Sequence, residues 1–179
     1  MTEPELIERA RLGDREAFGQ LVESHTGFVR RLTRTVLQNP DDADDAAQDA
    51  FFSAWRFRER FDPRRPFRSW LAQIALNAAR DLRRRRTVRQ TEPLPADLAS
   101  RSDNPFDRTE RALLKARLDA ALAELPERQR LALVLFDVEG FSHAEVGALL
   151  GIPEGSARSD VFHARRRLRT ILGTEESIE

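Results

Sequence analysis

Residues 140–172 read GFSHAEVGALLGIPEGSARSDVFHARRRLRTIL. Ser142-His143-Ala144-Glu145 has the spacing of a capping box, in which a hydroxyl and a carboxylate satisfy each other's backbone N–H at the start of a helix. Val146, Leu149 and Leu150 give that helix one apolar face. Gly151 breaks it, and Ile152 plugs the gap to the next element. Pro153 starts a second helix, which turns Ala157, Val161, Ala164 and Leu168 inward. A short helix, a glycine turn and a longer helix make a helix-turn-helix. The outward face of the longer helix carries Ser156, Arg158, Ser159, Phe162, His163, Arg165, Arg166 and Arg169. Side chains near its start suit a major groove, and those further along suit phosphates. Periodicity alone also permits an ordinary αα-hairpin with a solvated arginine face.

Upstream of this element the chain keeps a helical period, with no alternating strand pattern. Pro126 opens a helix with Leu131, Val134, Leu135 and Val138 inward. Before it, Leu114, Leu118, Ala121 and Leu125 line another. Near the start, Asp14 caps a long helix carrying Phe18, Leu21, Val22, Val29, Leu32 and Val36. Asn39-Pro40 ends it. Asp41 caps the next, which runs to about Arg60 with Ala47, Phe51 and Trp55 on one face. Phe61-Asp62-Pro63-Arg64-Arg65-Pro66 is a loop stiffened by its prolines. A further helix sets Phe67, Trp70, Leu71, Ile74, Ala75 and Ala78 toward a core. Residues 90–105 hold Pro93, Pro95 and Pro105 among polar residues and read as a flexible linker. The predicted fold class is therefore all-α, with helical domains over 1–89 and 106–174 and a disordered tail at 175–179.

Composition narrows the chemistry. The chain has 179 residues and no cysteine, so disulfide scaffolds and thiol nucleophiles are excluded. No apolar run approaches the ~20 residues of a membrane span. The amino terminus, MTEPELIERARLGDREAF, lacks a signal peptide's apolar core, so no membrane insertion and a cytoplasmic location are expected. His25, His143 and His163 lack metal-ligand spacing. No carboxylate pair sits in a recognisable catalytic setting, so the reading is not an enzyme.

The net charge of zero conceals two blocks. Residues 63–90 hold nine arginines against one acid, Asp81, for a net of +8. Residues 41–49 hold five aspartates and no base. The split suggests one surface for a polyanion and another for a basic partner. On the arginine helix, Gln73, Asn77, Arg80, Arg83, Arg84 and Arg86 lie away from the apolar side, near Arg64 and Arg65. Arginines, amides and aromatic planes are what a single-stranded nucleic-acid groove uses. A solvated helix end that complements the dipole is the competing explanation. The acidic helix likewise reads either as a dipole-stabilised first turn or as a docking face, with Asp44, Asp45, Gln48 and Asp49 outside and Phe51, Phe52 and Trp55 beneath or beside.

Three separated motifs resemble one family in order and spacing. NPDDADDAAQDAFFSAW, FDPRRPFRSWLAQIALNAARDLRRRR and LPERQRLALVLFDVEGFSHAEVGALLGIPEGSARS are similar to the docking helix, the −10 loop and helix, and the −35 helix-turn-helix of extracytoplasmic-function (ECF) sigma factors of the sigma-70 family. The resemblance spans about residues 5–172. It implies a non-catalytic subunit that binds core RNA polymerase, reads a duplex −35 element and melts a −10 element, holding the latter single-stranded.

The resemblance also implies roles by position. Asp44, Asp45, Gln48, Asp49 and Phe52 fall at polymerase-docking positions, where the family meets a basic coiled coil of the polymerase clamp. The 61–66 loop falls where an extruded −10 base is pocketed, and capturing it offsets an unstacking cost of a few kcal/mol. Arg64, Arg65, Asn77, Arg80, Arg83 and Arg84 are the expected strand contacts, with Trp70 packing. Ser156, Arg158, Ser159, Phe162, His163, Arg165 and Arg166 are the expected −35 contacts. An anti-sigma factor is the further partner implied. No metal or small-molecule cofactor is implied.

One departure stands out. The family usually carries a base after the recognition-helix serine, and here the order is Arg158-Ser159-Asp160. An acid there repels phosphate, accepts from a cytosine amino group, or pairs with a nearby base such as Arg165 or Arg167. The alternative function is a sigma-like decoy that binds an anti-sigma factor, against which the intact arginine helix argues. An unrelated helix-turn-helix repressor would leave the acidic aromatic helix unexplained.

Overall fold

In the first helical unit, small residues set how closely the helices approach. The computed structural model describes residues 1–90 and 110–174. Helices α1 (Glu3–Arg11), α2 (Arg15–Leu37), α3 (Pro40–Phe57) and α4 (Phe67–Gln90) build the first unit, with a 3₁₀ turn at Arg58–Arg60. The inner face of α3 is a row of buried alanines, Ala43, Ala46, Ala47, Ala50 and Ala54. α3 packs against α4, in which Ala72, Ala75 and Ala79 are fully buried. Short side chains on both ridges allow close helix packing. Leu32, Val29, Leu71 and Leu76 fill the remaining space.

The Asp14 cap forms as expected, its carboxylate accepting from the N–H groups of Glu16 and Ala17. The next cap differs from expectation. Asn39, not Asp41, caps α3 by accepting from the Asp42 N–H at 3.0 Å, with Pro40 as the first helical residue. Proline there has no N–H to leave unpaired, so the cap shifts back by two residues.

The second unit comprises α5 (Glu110–Ala123), α6 (Glu127–Leu133), a π-helical turn (Val134–Val138), α7 (His143–Leu150) and α8 (Glu154–Thr174). Leu131, Leu135, Val146, Ala157, Val161 and Ala164 form its core. Two sequence expectations fail here. Val138 is 60% exposed, because the wider π turn rotates it off the face that Leu131 and Leu135 share. Leu114 and Leu118 are also exposed, because among the described residues α5 is buried at its last turn, at Ala121 and Leu122, and exposed before it. Buried Arg130 ties down that turn, donating Nη1 to the Leu125 carbonyl at 3.1 Å.

The two units touch where α2 and α4 meet α6, the π turn and α7. The linker expected at 90–105 and the tail expected at 175–179 lie outside the described residues, apart from Gln90.

Candidate nucleic-acid interface

The helix-turn-helix is held by backbone geometry at two glycines. Ser142 Oγ accepts from the Glu145 N–H at 3.2 Å, and Glu145 Oε2 accepts from the Ser142 N–H at 2.8 Å, completing the capping box. Gly151 ends α7 at φ 68°, a left-handed conformation open to glycine. Gly147 lies inside α7, where the turn folds back over it. A Cβ on Gly147 would lie 2.7 Å from the Ile152 carbonyl oxygen. The Ile152 N–H donates to the Gly147 carbonyl at 2.9 Å, which closes the turn.

That packing aims one face of α8 at solvent. Arg158, Ser159, Phe162, His163, Arg165 and Arg166 are exposed, and Ser156 is half-buried. Phe162 is 61% exposed, with its ring edge-on to His163 at 5.5 Å. Arg158 pairs with Glu154 one turn back at 3.0 Å. Arg165 is held by the Asp137 carboxylate and lies 5.5 Å from the centre of the Phe136 ring. Asp160 does not belong to this face. It is 4% exposed, and its carboxylate accepts from Arg128 Nε at 2.7 Å and Nη2 at 3.1 Å. Its phase on the helix matches Ala157, Val161 and Ala164, so it points inward. Its partner comes from α6 rather than being Arg165 or Arg167.

The 61–66 loop is anchored at its ends. Phe61 and Phe67 are buried and pack edge-on to each other and tilted against half-buried Trp70, at ring separations of 5.1 to 5.6 Å. Between them Pro63, Arg64, Arg65 and Pro66 are exposed. Asp62 orders the tip by accepting from the Arg64 N–H and Nε, each at 3.0 Å. Those bonds hold the Asp62 carboxyl below its ordinary range. On α4, Gln73 donates to Asn77 at 3.2 Å, and Asn77 faces solvent. Arg80 is half-buried, and Arg84 pairs with Asp81 at 2.7 Å. Arg83 reaches out of its unit to Glu127 at the start of α6.

The two charge blocks meet within one unit. Arg85 pairs with Asp49 at 3.2 Å, and Arg86 with Asp42 at 2.5 Å. The acids therefore neutralise part of the arginine run in cis, which linear charge counting does not reveal. On the outer side of α3, Asp45, Gln48 and Phe52 form an exposed stripe, with Phe52 73% exposed. Asp44 pairs with Arg30 at 3.1 Å. Phe51 and Trp55 are half-buried, and Trp55 packs 5.0 Å from Phe18.

A family model for Sigma-70 region 2 matches residues 21–89, and one for Sigma-70 region 4 matches residues 115–168. The chain is 37% identical over 172 residues to the ECF RNA polymerase sigma factor SigM of Mycobacterium tuberculosis, covering 96% of this chain and 85% of that one. The chain belongs to the ECF sigma factors of the sigma-70 family. The sigma factor is also 34% identical to RNA polymerase sigma factor CnrH of Cupriavidus metallidurans, covering 95% of this chain and 94% of that one. A solved structure of CnrH in complex with the cytosolic domain of CnrY superposes with a TM-score of 0.73 at 32% identity, covering 96% of this chain and 97% of that one. As a sigma factor the protein is non-catalytic and directs promoter-specific transcription initiation.

Among the described residues, no cluster of three or more His, Cys, Asp or Glu could hold a metal ion, and no helix is long and apolar enough to cross a membrane. Gly147 and the Arg128–Asp160 pair of this sigma factor carry no motif in the sequence. A lone glycine inside a helix costs about 1 kcal/mol relative to alanine, so it usually has a packing reason. Nothing local connects residues 128 and 160, which lie on different helices.

Proposed function

We propose that three faces divide the work of initiation. The stripe of Asp44, Asp45, Gln48, Asp49 and Phe52 docks core polymerase. The 61–66 loop with Arg64, Arg65, Asn77, Arg80, Arg83 and Arg84 holds the single-stranded −10 element. Ser156, Arg158, Ser159, Phe162, His163, Arg165 and Arg166 meet the −35 duplex. The observation that carries this reading is the solvent-facing row on α8, where buried alanines and Val161 turn an arginine, hydroxyl and aromatic set outward together. Such a set fits a major groove, with arginines available to guanine and to phosphates. Buried Asp160 supports a positioning role, neutralising Arg128 while the exposed residues meet DNA.

The division into region 2 (1–89), linker (90–105), region 4 (106–174) and tail (175–179) belongs to the same proposal. So does work in the cytoplasm, where core polymerase and promoters are. An anti-sigma factor is a proposed partner, since the similar CnrH was solved with the cytosolic domain of CnrY.

The test is transcription by purified bacterial core polymerase with this chain on a genomic fragment library. The expected result is a set of discrete start sites sharing two spaced elements. Core binding without start sites would remove the promoter-contact assignments. Absence of core binding would remove the docking stripe and favour a decoy that titrates an anti-sigma factor.

A further inference from the structure

A cleft of about 370 Å³ lies between α1 and the 61–66 loop, within the size range of pockets that take small molecular groups. Glu3, Ile7 and Glu8 of α1 form one wall, and Phe61, Pro63 and Arg65 form the other. The match to Sigma-70 region 2 begins at residue 21, so the α1 wall lies outside the matched segment. This helix is nevertheless fixed in place. Leu6 and Ala10 are buried, and Arg9 pairs at 2.6 Å with Asp14, the residue that caps α2.

The cleft combines apolar and charged surface. Ile7 and Pro63 supply the apolar part and Phe61 an aromatic one. Arg65 is exposed and has no ion pair among the described residues. Glu8 is occupied by Arg11 at 2.6 Å. Glu3 is half-exposed, and its carboxylate accepts no hydrogen bond among the described residues. Its Oε1 stands 3.4 Å from His25 Nε2. His25 is 7% exposed, and its ring lies 5.4 Å from that of Phe67, which also lines the cleft. The His25 Nε2 is buried without a hydrogen-bond partner. A buried polar atom left unpaired carries a desolvation cost. Glu3 is the acid within its reach, so the imidazole and the cleft share one carboxylate.

That chemistry sorts what can enter. Two carboxylates on one wall repel phosphate, which leaves the backbone to Arg64 and Arg65 outside and the cleft to an uncharged base. A carboxylate accepts hydrogen bonds and donates none. Adenine, cytosine and guanine each present an exocyclic amino group to it, whereas thymine presents carbonyl oxygens. Extruded bases are read in this way, by hydrogen bonds at one edge and apolar or aromatic contact on the faces.

We propose that α1 is the second wall of the pocket for the extruded −10 base, and that Glu3, positioned by His25, selects a base bearing an exocyclic amino group over thymine. This selection rests on the assignment of the 61–66 loop to the −10 strand and adds a discriminating residue from outside the loop.

The test uses the full chain bound to core polymerase and fork probes built on the recovered −10 element. Each non-template position in turn carries A, C, G, T or an abasic residue. Wild type should show a position at which an amino-bearing base binds about tenfold more tightly than thymine or the abasic residue, and the A, C and G arms show which base the cleft takes. Glu3→Gln and Glu3→Ala should flatten that preference while leaving core polymerase affinity and every other position unchanged. His25→Phe should weaken the same preference in the wild-type background and add nothing in Glu3→Gln; equal effects in both backgrounds would overturn the positioning by His25. Absence of such a position in wild type, or a preference that survives both Glu3 substitutions, would overturn the α1 wall. Arg65→Ala separates this result from the loop assignment. If it weakens every −10 probe while the Glu3 variants match wild type, the loop holds the strand and α1 does not read it. If neither Arg65→Ala nor the Glu3 variants alter any −10 position, the loop assignment falls together with the α1 wall.

Discussion

Replacing Gly147 with alanine tests the geometry on which the helix-turn-helix depends. The added methyl would sit 2.7 Å from the Ile152 carbonyl oxygen, 3.3 Å from the Glu154 nitrogen and 3.4 Å from the Pro153 carbonyl carbon. All three are backbone atoms, so no side chain can swing aside. Reaching ordinary contact requires the turn to open by roughly 0.7 Å. Overpacking of this kind costs about 1–3 kcal/mol. Alanine recovers about 0.5–1 kcal/mol over glycine within a helix. The expected balance is a destabilisation of region 4 by about 0–2.5 kcal/mol, centred near 1 kcal/mol. Gly19→Ala is the matched control, since Gly19 lies within α2 and a methyl added there would meet nothing within 4 Å. That substitution should be neutral to stabilising. Denaturant unfolding followed by circular dichroism reads both units. Fluorescence follows region 2, where both tryptophans, Trp55 and Trp70, lie. Binding to a −35 duplex should weaken in Gly147→Ala because the turn sets the angle of α8. Unchanged stability together with unchanged duplex binding would refute the close approach.

Arg158→Ala should lose about 1–3 kcal/mol of discrimination between matched and mismatched −35 duplexes in competition binding, and an unchanged preference would remove Arg158 from the base contacts. Phe52→Ser should leave the unfolding midpoint within about 0.5 kcal/mol of wild type, because the ring is already 73% exposed. It should weaken core polymerase binding about tenfold in a titration, and equal affinity would move the docking face elsewhere. The Asp14 carboxyl is held below its ordinary range, first by the Ala17 N–H and then by Arg9. Its stabilisation is therefore present above the unfolded value near 4 and is lost as pH falls through the lower folded value. Acid unfolding of Asp14→Asn should show a shallower pH dependence there, and a profile identical to wild type would contradict that coupling.

Residues 140–172 were legible because the signals are local. The capping box, the Gly151 stop and the spacing of Ala157, Val161 and Ala164 act within one or two turns, and each stands where expected. The exposed arginine face of α8 follows from the same period. Expectation failed where a neighbour decided the outcome. Asp160 shares the inward phase of Ala157, Val161 and Ala164, but its partner is Arg128 of α6, not the nearby Arg165 or Arg167 that its own helix offers. Val138 fits a helical period until the π turn shifts its phase. Leu114 and Leu118 look like core, but α5 docks too far along its length to cover them. Asn39 outcompetes Asp41 as a cap because Pro40 occupies the first helical position.

From sequence alone, period and punctuation determine the all-helical class, the helix-turn-helix and the signed charge blocks, because helical phase and capping depend on residues a few positions apart. Membership in the sigma-70 family follows from three such local motifs in order. Tertiary structure decides what those charges do. It brings Arg85 and Arg86 onto Asp49 and Asp42, Arg128 onto Asp160, and Arg31 and Arg68 onto Glu139. An ion pair between distant positions needs both helices packed before either side chain can reach. Glu139 and Arg31 stand 108 positions apart, so their pairing comes from packing two units and not from any local pattern.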